Sequence, residues 1–304
     1  MSYHDSSAAE CENKSCSGIK TVVRPKAKDI GGFEVRRALP SLEARTVGPF
    51  IFFDQMGPAV FAPGSGIDVR PHPHIGLSTL TWLIEGEIMH RDSLGYSQPI
   101  RPGEVNWMTA GTGIVHSERT PDDVREAGHN LLGLQVWMAL PSDNQEADPS
   151  FQHYSADDIP AVEIDGAKIT IVAGDAWGAT SPVSVYSRTL YADVRINAGA
   201  TLNIPASHEE RAIYVVAGSV KLGDEEFGEA TMIVLRENET VPVHAPAGAH
   251  LALIGGDKLK HPRRLWWNFA HTDIDMIEDA KARWKNGEFA MVDGDEEFIP
   301  LPDR

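Results

Sequence analysis

The chain has 304 residues, with 44 acidic and 27 basic side chains, which give a formal net charge of −17 at pH 7. Nucleic acids and anionic membranes are polyanions, so this charge opposes direct binding to either of them. Hydrophobic residues make up 42% and charged residues 23% of the chain, as is typical of a soluble globular protein of one to three domains.

The N-terminal segment differs from the rest of the chain. Residues 1–18 are rich in polar side chains and contain both cysteines, Cys11 and Cys16. Too few large apolar side chains are present to offset the entropy lost on ordering, so this segment is expected to be disordered. The cysteines are expected to be flexible thiols, with a disulfide or a metal clip as the alternative, and a disulfide scaffold is excluded.

Neither a membrane span nor a signal peptide is indicated. No stretch has the length and apolarity of a spanning helix, and the start Met-Ser-Tyr-His-Asp is unlike a signal peptide. A cytoplasmic, reducing location is therefore expected.

β-Strands are predicted from residue 19 onward. Alternating apolar residues at 20–24 and a glycine turn before residues 33–37 indicate two strands. The aromatic run at 49–54 has the length of a buried strand, and we assign it to the core rather than to substrate contact. Turn-rich residues 55–69 follow, and a connection of this kind can close over a pocket.

Four candidate metal ligands stand in two short motifs. His72 and His74 belong to the segment RPHPHIG, and His116 and Glu118 to the segment AGTGIVHSE. Alternate side chains of a strand point to the same face, so each pair shares a face and the two pairs can converge on one ion. An isolated His-x-His pair is more often structural than metal-binding. Here strands and turns separate the two motifs, as in a small β-barrel with a metal site in its mouth.

The donor set limits the ion. Three imidazoles and one carboxylate suit Fe, Ni, Cu, Mn or Zn, and octahedral ions among these keep positions open for water, O2 or a substrate. Burying these side chains without an ion would be costly, which disfavours an empty, dry site. The sequence contains no Gly-x-Ser-x-Gly elbow and no phosphate-binding loop, so hydrolysis by a serine nucleophile or of a nucleotide is not favoured.

A polar, proline-bounded segment at 141–149 follows the long predicted strand 130–140. We place the domain boundary there, which gives an N-terminal metal-binding barrel at 19–140 and a C-terminal barrel at 150–304. The second half repeats the outline of the first, with a histidine, a strand and a glycine turn, but it lacks the His-x-Glu ending. This pattern indicates a duplicated barrel whose second copy has lost its metal. A second metal ion held by His208, His244 and His250 is the minority alternative.

An amphipathic helix is predicted close to the C-terminus, at 273–285. Its apolar residues recur at spacings of three and four from Ile274 to Trp284, and an Asn-Gly stop follows. We expect this helix to pack on a barrel. The upstream pair Trp266 and Trp267 is predicted to lie on a barrel strand or to seal the two domains against each other.

Together these motifs resemble those of the cupin superfamily and, more narrowly, of the pirin family. The likeness rests on RPHPHIG at 70–76, WMTAGTGIVHSE at 107–118 and LQVW at 134–137, and it extends from about residue 22 to the segment IPLP at 299–302. It implies an all-β bicupin, in which two tandem antiparallel double-stranded β-helix (jelly-roll) barrels are followed by a C-terminal α-helix. A monomer is also implied.

The resemblance further implies a ligand set. In this family His72, His74, His116 and Glu118 would hold one divalent transition-metal ion, with Fe(II) as the first choice and Ni, Mn, Cu or Zn as alternatives. Cupins usually place a ligand glutamate shortly after the His-x-His motif, but residues 78–79 are serine and threonine here. Pirins share this departure, because their carboxylate ligand comes from the second motif.

An activity is implied as well, because the cupins include quercetin 2,3-dioxygenases. We expect a metal-dependent dioxygenase that opens a flavonol such as quercetin with O2 and releases CO, with Glu118 as the catalytic base. The alternative is a non-catalytic, metal-binding regulatory module, either a redox-sensing transcription cofactor or the protein partner of a metabolic enzyme. An open, substrate-sized pocket beside the metal would distinguish the two. The candidate substrate-binding residues, on strands next to the motifs, are Trp107, Met108, Gln135 and Trp137.

Overall fold

The computed structural model describes residues 18–29 and 33–302. The segment predicted to be disordered, with Cys11 and Cys16, lies outside the described residues except for Gly18. No helix among the described residues is long and apolar enough to cross a membrane. This part of the chain is built mainly of antiparallel β-strands, arranged as two barrels and a C-terminal helix, as the predicted bicupin fold requires.

The first half of the chain forms two sheets, and its first strand joins the sheet of the second barrel. Its strands are β1 (Ile19–Val23), β2 (Lys26–Asp29), β3 (Glu34–Leu39), β4 (Phe50–Phe61), β5 (Asp68–His74), β6 (Leu77–Glu85), β7 (Ile88–Asp92), β8 (Ser97–Ile100), β9 (Val105–Thr109), β10 (Ile114–Arg119), β11 (His129–Ala139) and β12 (Ser150–Tyr154). A short helix, α1 (Asp122–Ala127), precedes β11. The larger sheet has the order β12-β9-β6-β11-β4-β3-β2, and the smaller sheet has the order β5-β10-β7-β8.

The second half forms the other barrel and a terminal hairpin and helix. Its strands are β13 (Ala161–Ile164), β14 (Ala167–Ala176), β15 (Ala179–Thr180), β16 (Thr189–Ile196), β17 (Thr201–Ile204), β18 (Glu210–Leu222), β19 (Glu225–Gly228), β20 (Thr231–Leu235), β21 (Val241–His244), β22 (Ala249–Gly256), β23 (Arg264–Trp266) and β24 (Phe269–His271), followed by helix α2 (Ile274–Lys285). The main path of its sheet is β1-β20-β18-β22-β16-β14-β13.

The two barrels share an apolar core. Aromatic side chains from both halves meet in it, among them Phe53, Trp82, Tyr191 and Tyr214. Because the larger sheet of the first barrel is covered on both sides, strands β6 and β9 are buried on both faces almost throughout. A second core, rich in Ile, Leu and Val, fills the interior of the second barrel. A cavity in the first barrel is lined by residues of its strands β3, β4, β5, β10 and β11.

Strand pairing crosses the predicted domain boundary in both directions. Strand β1, from the start of the described chain, pairs with β20 at the edge of the second barrel's sheet. Strand β12, which follows residue 149, pairs with β9 in the first barrel. Each barrel therefore contains one strand from the other side of the predicted domain boundary.

Helix α2 packs on the first barrel, although it follows the second barrel in sequence. Ile277, Ala280 and Trp284 are buried in one apolar cluster with Ile75 and Val115 of the first barrel. The Asp273 side chain caps the helix by accepting a hydrogen bond from the backbone N–H of Asp275 at 3.0 Å. The helix thus supports the strands that carry the histidine motifs from behind.

Candidate metal centre

Strands β5 and β10 bring the two histidine motifs together. They pair in antiparallel register, with His72 directly opposite His116 and His74 opposite Ile114. The register shifts between His116 and Glu118, so a β-bulge separates the last two candidate ligands. Gly111 makes the turn before β10 at a φ of +50°, where a Cβ atom would collide with the carbonyl of Ala147.

The three histidines converge on one point. The ligand nitrogens of His72, His74 and His116 all lie within 4.8 Å of one another, and the three side chains are buried. The Nε2 atoms of His74 and His116 are 3.1 Å apart. Metal–nitrogen bonds of about 2.0–2.1 Å place neighbouring ligand atoms of one ion about 3 Å apart. This geometry fits a single transition-metal ion.

Backbone carbonyls fix the tautomers of two of these rings. The Nδ1 atom of His72 is 2.9 Å from the carbonyl oxygen of Arg70, and Nδ1 of His74 is 3.2 Å from that of Asn268. A carbonyl oxygen only accepts, so each Nδ1 atom must carry the hydrogen and donate it. The lone pair of each ring is then on Nε2, the atom that faces the centre.

Burial keeps the three imidazoles neutral. It lowers the pKa of His72 to about 4, and it lowers the pKa values of His74 and His116 well below the ordinary value, with neighbouring histidines adding to the effect. Three uncharged rings at pH 7 offer three lone pairs, which is the state that a metal ligand requires.

Glu118 lies in the same cavity but outside the group of three mutually close ligand atoms. Burial raises the pKa of its carboxyl group, while His90 and Thr81 act in the opposite direction. The hydroxyl of Thr81 is 3.3 Å from Oε1 of Glu118 and 2.7 Å from Oε1 of Gln135. The structure therefore brings Glu118 to the histidines as a half-buried carboxylate with a hydroxyl donor in reach.

A cavity of about 310 Å³ opens next to the histidines. Trp137 stacks on Phe52 with ring centroids 3.9 Å apart, and the guanidinium of Arg37 lies 4.3 Å above the Phe52 ring. Arg37 also makes a two-pronged ion pair with Asp54, at 2.9 Å and 2.7 Å. Trp267, on the turn of the β23–β24 hairpin, lies on the cavity wall as well. The cavity therefore combines aromatic and apolar walls with polar side chains, as sites for small organic molecules do.

Of the four residues predicted to contact a substrate, two line the cavity and two do not. Gln135 and Trp137, on β11, line the cavity. Trp107 lies in the core between the barrels and donates its Nε1–H to Thr109 at 3.1 Å, while Met108 packs in the cluster behind Trp137. Neither Trp107 nor Met108 lines the cavity, because β9 is buried on both faces and its alternate side chains enter two different cores.

Several residues of the site are not indicated by the sequence alone. Phe52 belongs to a buried core cluster, as predicted for its aromatic run, and it also lines the cavity together with Asp54 and Met56 of the same strand. Asn268 is 194 positions from His74, so no local pattern indicates their contact. His90, whose Nδ1 atom is 3.3 Å from Nδ1 of His116, stands in a His-x-Asp pattern on β7 that could have been found by its strand period.

His208, His244 and His250 of the second barrel each contact a different side chain. His250 is buried and contacts the carboxylate of Asp193 at 2.5 Å. His244 contacts the hydroxyl of Thr201 at 3.0 Å, and His208 contacts that of Ser207 at 3.0 Å.

Fold and sequence together define the class of protein: two cupin barrels in tandem, with a histidine cluster in the first. The chain belongs to the pirin family. It matches the Pirin family over residues 32–138 and the Pirin C-terminal cupin domain over residues 191–290.

Individual relatives agree with this assignment. A pirin-like protein of Caulobacter vibrioides is 48% identical over 94% of this chain and 100% of its own length. Human pirin is 31% identical over 80% of this chain and 83% of its own length. A crystal structure of quercetin 2,3-dioxygenase from Acinetobacter baumannii superimposes with a TM-score of 0.86 at 36% identity, covering 93% of this chain and 96% of the other.

Proposed function

We propose that this protein is a metal-dependent dioxygenase of the pirin type, which opens a flavonol such as quercetin with O2 and releases CO. The observation that carries the proposal is the cluster of three neutral, buried imidazoles at the wall of an aromatic cavity of about 310 Å³. Cavities that hold small ligands are of this size or larger. The likeness to the Acinetobacter quercetin 2,3-dioxygenase supports the choice of substrate class.

The proposed ligands are His72, His74, His116 and Glu118, with Fe(II) as the first choice of ion and Ni, Mn, Cu or Zn as alternatives. When bound, the ion supplies a Lewis acid for the substrate's oxygen and the redox chemistry that O2 requires. The chain contributes three lone pairs held in fixed directions and one carboxylate beside them.

Glu118 is the proposed acceptor of the enolic proton of the substrate. The substrate's O–H bond breaks, the proton moves to a carboxylate oxygen of Glu118, and the electron pair stays on the substrate's oxygen. Burial raises the pKa of Glu118, so this carboxylate holds a proton more readily than an exposed one. The hydroxyl of Thr81 can turn towards the carboxylate across 3.3 Å and orient it.

The aromatic wall would hold the flavonol in place. Trp137 and Phe52 form a stacked pair, and Trp137 also meets the ring of His74 edge-on at 5.0 Å between centroids. A planar substrate that lies along Trp137 is thereby directed towards His74 and the ligand nitrogens. Trp267 adds a further aromatic side chain to the wall of the same cavity.

A non-catalytic regulatory module is the alternative to this proposal. The net charge of −17 would suit a basic protein partner rather than a nucleic acid. In that case the histidines would bind metal, but quercetin would be left intact.

The test is aerobic turnover of quercetin by protein reconstituted separately with Fe(II), Ni(II), Mn(II), Cu(II) and Zn(II), with loss of the flavonol and release of CO as readouts. His116→Ala and Glu118→Gln are the informative variants. His261→Ala is the matched control, because His261 is exposed and does not line the cavity. CO release that depends on the metal, disappears in both variants and persists in the control is the expected result. Metal-loaded wild type that leaves quercetin unchanged would overturn the proposal.

A further inference from the structure

One ligand ring is held differently from the other two. His72 and His74 donate their Nδ1–H groups to backbone carbonyls, which are neutral. The Nδ1 atom of His116 instead faces Nδ1 of His90 at 3.3 Å, and Nε2 of His90 faces Oδ2 of Asp92 at 3.0 Å. Three side chains thus form a chain of hydrogen bonds that ends at a carboxylate.

All three side chains of this hydrogen-bonded series are buried. Relative exposures are 2% for His116, 5% for His90 and 1% for Asp92. The register of β7 and β10 explains how they meet, because Asp92 lies opposite His116 and His90 lies opposite Glu118 on the neighbouring strand. The ring of His90 is also stacked on Phe151, with centroids 4.5 Å apart and planes at 14°. Its orientation is therefore fixed from the side as well as at both nitrogens.

The carboxylate of Asp92 sets the direction of both hydrogen bonds that link it through His90 to His116. Oδ1 of Asp92 accepts from the backbone N–H groups of Leu94 at 2.9 Å and Tyr96 at 3.1 Å, so it is fully used by the turn after β7. Oδ2 accepts from Nε2–H of His90. In its neutral form His90 then has its lone pair on Nδ1 and accepts from Nδ1–H of His116. The lone pair of His116 is left on Nε2, beside that of His74.

We propose that His90 and Asp92 are positioning residues of the metal centre, which lock His116 in its metal-binding tautomer and bring a buried negative charge to that ligand. This inference rests on the metal centre of the proposed function. A divalent ion with Glu118 keeps one positive charge, and the carboxylate of Asp92 balances it within the same buried region. His116 becomes the most strongly donating of the three rings, because it alone is linked to a carboxylate.

An isosteric substitution tests the direction of the hydrogen bonds that link Asp92, His90 and His116. In Asp92→Asn the side-chain oxygen can still accept from Leu94 and Tyr96, so the turn is kept. Its NH2 group would now donate to Nε2 of His90, whose hydrogen moves to Nδ1. His116 then has to accept at Nδ1 and carries its own hydrogen on Nε2, which blocks the metal. We expect metal affinity to fall about 10- to 100-fold, the usual effect of losing such an outer partner.

The readouts do not depend on turnover. Affinity for Ni(II) and Co(II) is measured by competition with a chelating dye. The Co(II)-loaded protein is examined for exchangeable, paramagnetically shifted imidazole N–H signals. Wild type should give three such signals, one for each ligand, and Asp92→Asn should give two. Unfolding of the metal-free proteins checks that the variants are folded.

A double-mutant cycle distinguishes an effect of Asp92 that is transmitted through His90 from a purely structural effect. His90→Phe keeps the stack on Phe151 but removes the acceptor for His116, so adding Asp92→Asn to it should change affinity little further. His153→Phe is the control, because His153 contacts Asn106 on the neighbouring strand at 2.8 Å and should leave affinity unchanged.

Three results would overturn the inference: wild-type affinity and three N–H signals in Asp92→Asn, losses that multiply in the double variant, or unchanged binding in His116→Ala. The last result would also remove the metal centre. If Asp92→Asn loses metal as expected while wild type leaves quercetin intact, the positioning role stands and the dioxygenase proposal alone fails.

Discussion

Nδ1 of His74 donates its hydrogen to the carbonyl oxygen of Asn268 across 3.2 Å, although 194 positions separate the two residues in the sequence. Asn268 lies in the turn of the β23–β24 hairpin, beside Trp267, whose φ of +52° is unusual for a residue with a bulky side chain. The hairpin thus supplies both a hydrogen-bond acceptor for a candidate ligand and a wall of the cavity. A segment that follows the second barrel in sequence completes the site in the first.

The first prediction separates these two contributions of the hairpin. Trp267→Ala removes the wall but keeps the Asn268 carbonyl, so KM for quercetin should rise several-fold while metal affinity stays unchanged. Trp266→Ala is the matched control, because Trp266 packs against Phe269 and does not line the cavity. Steady-state kinetics and metal titration measure the two effects. A loss of metal with unchanged KM would contradict the assigned roles.

The second prediction concerns the stability of the metal-free protein at low pH. The pKa of His72 falls from 6.5 in the unfolded chain to about 4 in the folded one, and those of His74 and His116 are also lowered. Between these values the unfolded chain binds more protons, so the free energy of unfolding decreases as the pH falls from 6.5 towards 4. His72 alone contributes roughly 3 kcal/mol to this decrease.

Denaturant unfolding of the chelator-treated protein at several pH values measures this loss. His72→Gln cannot be protonated there, so its stability should depend less on pH than that of wild type. His261→Gln, at an exposed position, should keep the wild-type dependence. Equal pH dependence of wild type and His72→Gln would show that His72 is not buried in neutral form.

The third prediction concerns the ion pair on the cavity wall. Burial raises the pKa of Asp54, and Arg37 acts against this through its hydrogen bonds and charge. Arg37→Met leaves the carboxylate buried without its partner. Breaking a fully buried pair costs about 3–5 kcal/mol, and we expect about 1–3 kcal/mol here because the Arg37 side chain is 26% exposed.

The raised pKa of Asp54 also determines how the stability lost in Arg37→Met changes with pH. In the variant the folded state binds the carboxyl proton more readily than the unfolded state, so protonation favours folding as the pH falls. The difference in unfolding free energy between wild type and Arg37→Met should therefore narrow from pH 7 to pH 5. Arg36→Met serves as the control, because alternate side chains of β3 point to opposite faces. A gap that widens on acidification would refute this account.

The fourth prediction tests the support given by helix α2. Trp284 shares a buried cluster with Ile75 and Val115, the neighbours of His74 and His116 in the chain, and its Nε1–H donates to the carbonyl of Ile299 at 3.0 Å. Trp284→Ala should destabilise the protein by about 3–5 kcal/mol and weaken metal binding. Ile274→Ala, on the same helix at 42% exposure, should do neither. Thermal unfolding and metal titration compare the two variants.

The sequence determined the local part of this site. A period of two places His72 and His74 on one face of β5, and the spacing of the motifs places all four candidate ligands on strands. The alternation of apolar residues and glycine turns was sufficient for the all-β class, and the spacing of three and four was sufficient for the C-terminal helix. These features depend on residues close in the chain, so they can be predicted without the fold.

Tertiary structure decided what depends on register and closure. Strand β9 is buried on both faces, so its hydrophobic pattern contains no signal that Trp107 and Met108 enter two cores rather than the cavity. The partners of His74 and His116 lie in the turn of the terminal hairpin and on strand β7, and they become neighbours only when the barrel closes and the hairpin packs on it. Local periodicity fixes which face of a strand a side chain occupies, whereas the packing of distant strands decides what that face meets.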